Sequence, residues 1–197
     1  MIRLLTRLAI AALVALPLAA HAAPQGAAAG GGPQGGKDPQ SPAGPLAQPQ
    51  QWGALLVSGD ASIPAFDNMV NGLARRLVGP SFPRGSVIAV TARTQSPYGS
   101  STIAGIAQAA SQMRLAPNQG CLVFVTAHGS PQGVAITQRN ETLSPGQLDR
   151  IVDSACGQRA TVVIVSACFS GVFIEPLARP NRVVLTAARR DLSLIHI

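Results

Sequence analysis

The sequence predicts an α/β fold in which a mostly parallel, doubly wound sheet is covered by helices on both faces. Apolar runs of strand length alternate with helix-like stretches from about residue 51 onwards. The two longest runs, 121–127 (CLVFVTA) and 161–167 (TVVIVSA), stay apolar instead of alternating with polar residues. Strands of this kind are buried on both faces, as in a parallel sheet between two helical layers. Helix-containing crossovers between the strands favour the doubly wound arrangement.

The chain begins with a predicted signal peptide over 1–22. Its apolar stretch at 8–20 follows two arginines, and residues 20–22 (AHA) match a signal cleavage site. That stretch is shorter than the roughly 20 residues of a membrane span, so we expect an exported protein, periplasmic or secreted, without a membrane span. Residues 23–50 are rich in Gly, Pro, Gln and Ala, and they predict a disordered linker because they offer little apolar surface to bury.

A single folded domain is predicted over 51–191, a usual length for one hydrophobic core. The apolar run at 54–57 predicts its first strand. A helix follows, because apolar residues between 66 and 77 recur at helical spacing after Pro64. The next apolar run, at 87–90, predicts the second strand.

The pattern then repeats in the second half of the domain. Apolar residues between 103 and 113 predict a second helix, and the run at 121–127 predicts the third strand. Residues 133–136 predict a small excursion after that strand. Each of these elements lies where an alternating α/β chain requires it.

The third helix has the clearest start in the sequence. Ser144 and Gln147 form a capping-box pattern around a proline at the first helical position. The runs at 161–167 and 182–187 then predict the fourth and fifth strands. The predicted order is therefore five strands linked by helices.

A reactive side chain follows each of the two longest apolar runs. The first run leads into His128 and Gly129, and the second leads into Cys168. Parallel strands bring their carboxyl ends to one edge of the sheet, so we expect the imidazole and the thiol to meet there. An adjacent imidazole can take the thiol proton and leave a nucleophilic thiolate. His128 must be that base, because His21 lies in the signal and His196 in the last residues.

Attack by a thiolate on an amide also needs hydrogen-bond donors for the oxyanion that forms. The backbone N–H groups of Gly129 and Cys168 are the predicted donors. Glycine lets the backbone approach a substrate closely, and the N–H of the cysteine faces its own trajectory of attack. This chemistry uses no metal and no cofactor.

Together these residues resemble the legumain-type (asparaginyl endopeptidase) cysteine peptidases of the caspase-like group, as a bacterial-type member. Residues 127–130 (AHGS) and 166–171 (SACFSG) are similar to the His-Gly pair and the Ala-Cys-x-Ser-Gly turn of that family. The resemblance implies a caspase-like fold and a Cys168–His128 dyad. It also implies an endopeptidase that hydrolyses peptide or protein substrates through a thioester. Metacaspases, which have a Cys-His-Ser-Gly turn, are a second relative in the group.

Two positions depart from the eukaryotic members of that family. The acidic residue two positions before the nucleophile is Ser166 here, and the basic pair near the start of the first helix is Phe66-Asp67. The resemblance makes Ser166 and Asp67 the predicted substrate-binding residues, but it does not predict a preference for asparagine.

The family fold implies further polypeptide after the fifth strand, where it forms one wall of the substrate pocket. We therefore expect the fold to be truncated at its C-terminus, with residues 192–197 forming a non-native tail.

Two other functions are compatible with the sequence: a catalytically inactive caspase-like binding module, and a thiol acyltransferase or transpeptidase. A serine hydrolase is disfavoured because no G-x-S-x-G motif is present. Nucleic-acid binding is disfavoured too, since the formal net charge of +7 is not concentrated in a basic block and only 4% of residues are aromatic. The sequence does not predict an oligomeric state.

Three cysteines are present in a chain predicted to be exported. Cys121 and Cys156 fall towards the sheet edge opposite the reactive one, and both a disulfide and two buried thiols are compatible with their positions. If they pair, Cys168 is left as a free thiol.

Overall fold

The computed structural model describes residues 49–93 and 96–193. The predicted signal peptide (1–22), nearly all of the predicted linker (23–50) and residues 194–197 of the predicted tail lie outside the described residues. In the part that is described, no helix is long and apolar enough to cross a membrane.

Eight strands and four α-helices are found within these residues. The strands are β1 (Trp52–Ser58), β2 (Val87–Val90), β3 (Gly120–Thr126), β4 (Gly129–Ser130), β5 (Gly133–Ile136), β6 (Glu141–Leu143), β7 (Thr161–Ser166) and β8 (Arg182–Thr186). The helices are α1 (Pro64–Leu77), α2 (Ile103–Ser111), α3 (Pro145–Cys156) and α4 (Ile174–Leu177). Five of the strands form a parallel sheet in the order β2-β1-β3-β7-β8. This arrangement confirms the predicted caspase-like α/β fold.

Both faces of the inner strands are buried, which explains their continuous apolar sequences. On β1, Leu55 and Val57 belong to the core that includes α2 and α3, whereas Leu56 belongs to the core on the α1 side. All three side chains are fully buried. Each such burial stabilises the fold by about 1.5–3 kcal/mol, so the sheet interior is the main source of stability.

The outer strand β8 is less covered than the inner strands. Val183 is 56% exposed and Leu185 is 49% exposed, and both side chains lie on the same face of the strand. Within the described residues β8 is the last strand in the sheet order, and this outer position accounts for the exposure.

The predicted capping box at the start of α3 is confirmed. The Ser144 side chain accepts a hydrogen bond from the Gln147 N–H, and the Gln147 side chain accepts one from the Ser144 N–H. By contrast, the predicted excursion at 133–136 is the middle strand of a small antiparallel sheet, β4-β5-β6. The sequence did not predict β4, β6 or α4, since elements of two to four residues carry no periodic signal.

The amino-terminal end of the parallel sheet is tied together covalently. Cys121 in β3 and Cys156 at the end of α3 form a disulfide, and both residues are fully buried. Arg159 donates hydrogen bonds of 2.8 and 3.1 Å to two carbonyl groups in the loop before β3. Asn181 donates to two carbonyl groups in the loop after α3. These bonds fix the loops at this end.

Ion pairs connect the start of β8 to α3. The Arg182 side chain is 1% exposed and pairs with Asp149 at 2.7 Å and also with Asp153. Arg179 forms a second pair with Asp149 at 2.8 Å. A buried arginine needs such partners because an unpaired buried charge is strongly destabilising. Ion pairs with α3 therefore hold β8 in addition to its backbone pairing with β7.

Candidate active site

Adjacent strand ends bring His128 and Cys168 to one edge of the sheet. β3 and β7 are parallel neighbours, and Thr126 is in register with Ser166. His128 and Cys168 each lie two residues beyond that pair. Since neighbouring strands are about 4.8 Å apart, the two reactive residues start from adjacent positions. The predicted base and the predicted nucleophile therefore share the carboxyl-terminal edge.

Gly129 lies against the backbone of the cysteine turn. A Cβ atom at this position would overlap the carbonyl oxygen of Cys168 and would lie 3.0 Å from the Cβ of Ala167. The contact involves backbone, which cannot move aside as a flexible side chain does. The close approach of the two loops therefore requires glycine at position 129.

The N–H of Gly129 points away from the small antiparallel sheet. The Ala135 N–H donates to the His128 carbonyl at 2.9 Å, which makes His128 and Ala135 a hydrogen-bonded pair of the ladder. The next pair, Gly129 and Val134, must then be a non-hydrogen-bonded pair. In such a pair the backbone N–H is directed out of the ladder, so strand pairing does not use the N–H of Gly129.

Cys168 begins a sharp turn that is fixed to the chain after β8. It is half-buried and is not part of the disulfide, and its Sγ accepts a hydrogen bond from the Ser193 hydroxyl at 3.4 Å. The next residue, Phe169, has φ 56°, a left-handed conformation that non-glycine residues rarely adopt. The Ser170 hydroxyl accepts from the Ala188 N–H at 3.0 Å. The turn after the cysteine is thus strained and well anchored.

The His128 side chain is exposed, and an aromatic ring lies beside it. The rings of Phe66 and His128 meet edge-to-face, with centroids 5.2 Å apart and an interplanar angle of 86°. Over residues 49–93 and 96–193, the imidazole forms no hydrogen bond. The Phe66 ring therefore restricts the orientation of this imidazole.

The two predicted substrate-binding residues differ in their surroundings. Ser166 is the half-buried last residue of β7, and its carbonyl accepts from the Ala127 N–H at 3.4 Å. Asp67 is 5% exposed, and its two carboxylate oxygens accept from the N–H groups of Ala92 and Arg93, each at 3.0 Å. Both Asp67 oxygens are thus engaged inside the fold. Contact of either residue with a substrate stays a prediction.

Sequence reasoning missed a second buried carboxylate at this edge. Asp60 follows β1, the strand next to β3, and it is 2% exposed. Its carboxylate accepts from the Ser62 N–H at 2.7 Å. The signal was present, because a Gly-Asp pair follows the apolar run of β1 as a His-Gly pair follows that of β3.

The described residues hold no cluster of three or more His, Cys, Asp or Glu side chains arranged for a metal ion. The edge instead combines an imidazole, a thiol and closely packed backbone. These groups can carry out proton transfer and nucleophilic attack.

Comparison with known proteins agrees with this chemistry. Residues 99–193 match the model of the peptidase C13 family, and the matched segment contains both His128 and Cys168. A search of curated proteins finds no match to the chain. The family is one of cysteine peptidases, whose substrates are peptides or proteins. With its sheet, its strand-end cysteine and histidine and this match, the chain is similar over residues 99–193 to the peptidase C13 family, the legumain-type cysteine peptidases.

Proposed function

We propose that the protein is a cysteine endopeptidase in which Cys168 is the nucleophile and His128 is the general base. One observation carries the proposal: β3 and β7 are paired so that both residues lie two positions beyond the same register pair. The anchored turn after Cys168 gives further support, since strained backbone that is held by its surroundings often occurs at active sites.

In the first step, the His128 imidazole takes the proton from the Cys168 thiol. The thiolate attacks the carbonyl carbon of the peptide bond, a C–S bond forms, and the carbonyl electron pair moves onto oxygen. The N–H groups of Gly129 and Cys168 donate hydrogen bonds to this oxyanion. One such donor typically contributes about 10²–10³-fold to the rate.

In the second step, the imidazolium of His128 gives its proton to the leaving nitrogen as the C–N bond breaks. The acyl group remains on Cys168 as a thioester. His128 then takes a proton from water, and the hydroxide equivalent attacks the thioester carbonyl through a second oxyanion. The acid product leaves, and the proton returns to the sulfur.

We also propose that Ser166 contacts the substrate side chain next to the scissile bond. The residue ends β7, two positions before the nucleophile. Its hydroxyl is small and uncharged, so a pocket that it lines has no carboxylate at this position. The substrate residue that the enzyme prefers next to the scissile bond is then not selected by an ion pair with position 166.

The protein is further proposed to be exported to the periplasm or the medium. The signal-like residues 1–22 suggest this location. The buried Cys121–Cys156 disulfide supports it, because such bonds persist in oxidising compartments and are rare in the cytosol. Fractionation of cells that produce the protein should place it outside the cytoplasm, and recovery in the cytoplasmic fraction would overturn this assignment.

Cleavage of a peptide library by the full chain tests the proposed function. Internal cleavage is expected for the wild type, and both Cys168→Ala and His128→Ala should abolish it. Adding a free amine distinguishes hydrolysis from acyl transfer, since a transpeptidase would give mainly the amide product. A binding module would instead cleave nothing while keeping its biological effect in Cys168→Ala.

A further inference from the structure

In the described structure, no hydrogen bond fixes the orientation of the His128 ring. Catalytic imidazoles are generally held by a hydrogen bond from the nitrogen that does not take part in proton transfer. In the described structure, the imidazole forms no hydrogen bond and packs edge-to-face against Phe66, with the ring centroids 5.2 Å apart. An exposed side chain changes rotamer within picoseconds to nanoseconds unless something restrains it, so the position of Phe66 matters.

Phe66 lies in the first turn of α1, and this turn has a weak local start. The helix begins at Pro64, and the preceding residue, Ile63, provides no side-chain hydrogen bond as a cap. Ile63 is also 41% exposed. A first turn without a cap leaves backbone N–H groups unsatisfied and frays readily. Another interaction must hold Phe66 in place.

Asp67 supplies that interaction from the next position along the helix. Its buried carboxylate accepts from the N–H groups of Ala92 and Arg93, which lie two and three residues after the end of β2. The Arg93 Nε then donates at 2.9 Å to the carbonyl of Ala61, in the loop before α1. These bonds join the loop, the helix start and the end of β2 into one closed unit. A carboxylate in the first turn also suits the helix dipole.

We propose that Phe66 is a positioning residue for His128, and that Asp67 acts on His128 through Phe66. The inference rests on the proposed function, in which His128 is the base. Its consequence is catalytic, because misplacing a reacting group by about 1 Å can lower a rate by about 10²-fold. Asp67 is then part of the catalytic framework and not a contact for substrate.

Kinetics of Phe66 variants test the first part. Phe66→Ala should lower kcat by about tenfold or more with KM little changed, since the base is misplaced and the substrate pocket is intact. Phe66→Tyr keeps the ring and should retain most of the activity. Met69→Ala is the control, because Met69 lies on the same helix and is 47% exposed.

A double-mutant cycle tests the second part. Asp67→Asn keeps the size of the side chain but only one acceptor oxygen, and it should lower kcat several-fold in the wild type. In a Phe66→Ala background the same change should have little further effect on kcat, because its route to His128 is already lost. Thermal melts of all variants show whether each one is folded.

Alkylation of Cys168 by iodoacetamide provides a readout that needs no peptide pocket. Phe66→Ala and Asp67→Asn should both slow alkylation, as His128→Ala should, while Met69→Ala should not. Unchanged kcat and alkylation in a folded Phe66→Ala protein would overturn the inference. An Asp67→Asn effect that is confined to KM would also overturn it, since it would make Asp67 a substrate contact. If wild type and Cys168→Ala behave alike in cleavage, the proposed function itself fails.

Discussion

The two ends of the parallel sheet are held by different kinds of interaction. At the amino-terminal end, the Cys121–Cys156 disulfide and the bonds of Arg159 and Asn181 lock the loops. At the carboxyl-terminal end, an exposed His128 packs against Phe66, and hydrogen bonds and packed backbone hold the turn of the half-buried Cys168. We infer that the two ends have different roles. Changes at the first end should affect stability, and changes at the second should affect catalysis.

The largest effect is expected from Cys168→Ala. Loss of the nucleophile should lower kcat by about 10⁴-fold or more, whereas the melting temperature should stay within about 2 °C of the wild type, because the side chain fills little of the core. Peptide hydrolysis and calorimetry on the same sample measure both. A large loss of stability in this variant would contradict the proposal that the carboxyl-terminal end serves catalysis and not stability.

Gly129→Ala should be the next most severe change. The new methyl group overlaps the Cys168 carbonyl, so it must displace the turn that carries the nucleophile and one of the two predicted oxyanion donors. We expect kcat to fall by about 10²-fold, comparable to the loss of one donor.

Gly146→Ala is the matched control for that change. Among the described residues, a methyl group there would meet only the Arg150 side chain, at 3.9 Å, and activity should not change. Equal activities of the Gly129→Ala and Gly146→Ala proteins would show that the close approach of the two loops is unimportant for catalysis.

Removal of the disulfide should lower stability and leave catalysis unchanged. Replacing both Cys121 and Cys156 by Ala should lower the free energy of unfolding by about 2–4 kcal/mol, because the link joins β3 to α3 across 35 residues. Urea unfolding measures the loss. The folded fraction should keep its kcat, since the disulfide lies at the end away from the site, and a fall in kcat would contradict the separation of roles.

Ser144→Ala should give the smallest effect. The substitution removes the capping box of α3 and should cost about 1 kcal/mol of stability, with kcat and KM unchanged. Urea unfolding and kinetics at saturating substrate would detect either change. A selective loss of kcat would indicate that the start of α3 contributes to catalysis.

Much of this architecture is visible in the sequence because its signals are local. The apolar runs of β3 and β7 lead directly into His128 and Cys168, so a pattern of a few residues predicts both the strands and the site. The capping box of α3 is a four-residue pattern for the same reason. The disulfide was one of two possibilities, since spacing alone does not fix cysteine pairing.

Other features depend on contacts between distant residues and therefore escaped prediction. Asp67 bonds to backbone 25 and 26 residues away, and Phe66 reaches a histidine in another part of the chain. Local composition contains no record of such partners. Tertiary arrangement decided these points.

Labelling with a peptide-like thiol electrophile tests the central claim most directly. Wild type, His128→Ala and Met69→Ala proteins would be treated under identical conditions, and mass spectrometry would locate and quantify the adduct. A Cys168–His128 dyad predicts an adduct on Cys168 in the wild type and in Met69→Ala, with labelling slowed by about 10²-fold or more in His128→Ala. Equal labelling rates in all three proteins, or an adduct elsewhere, would contradict it.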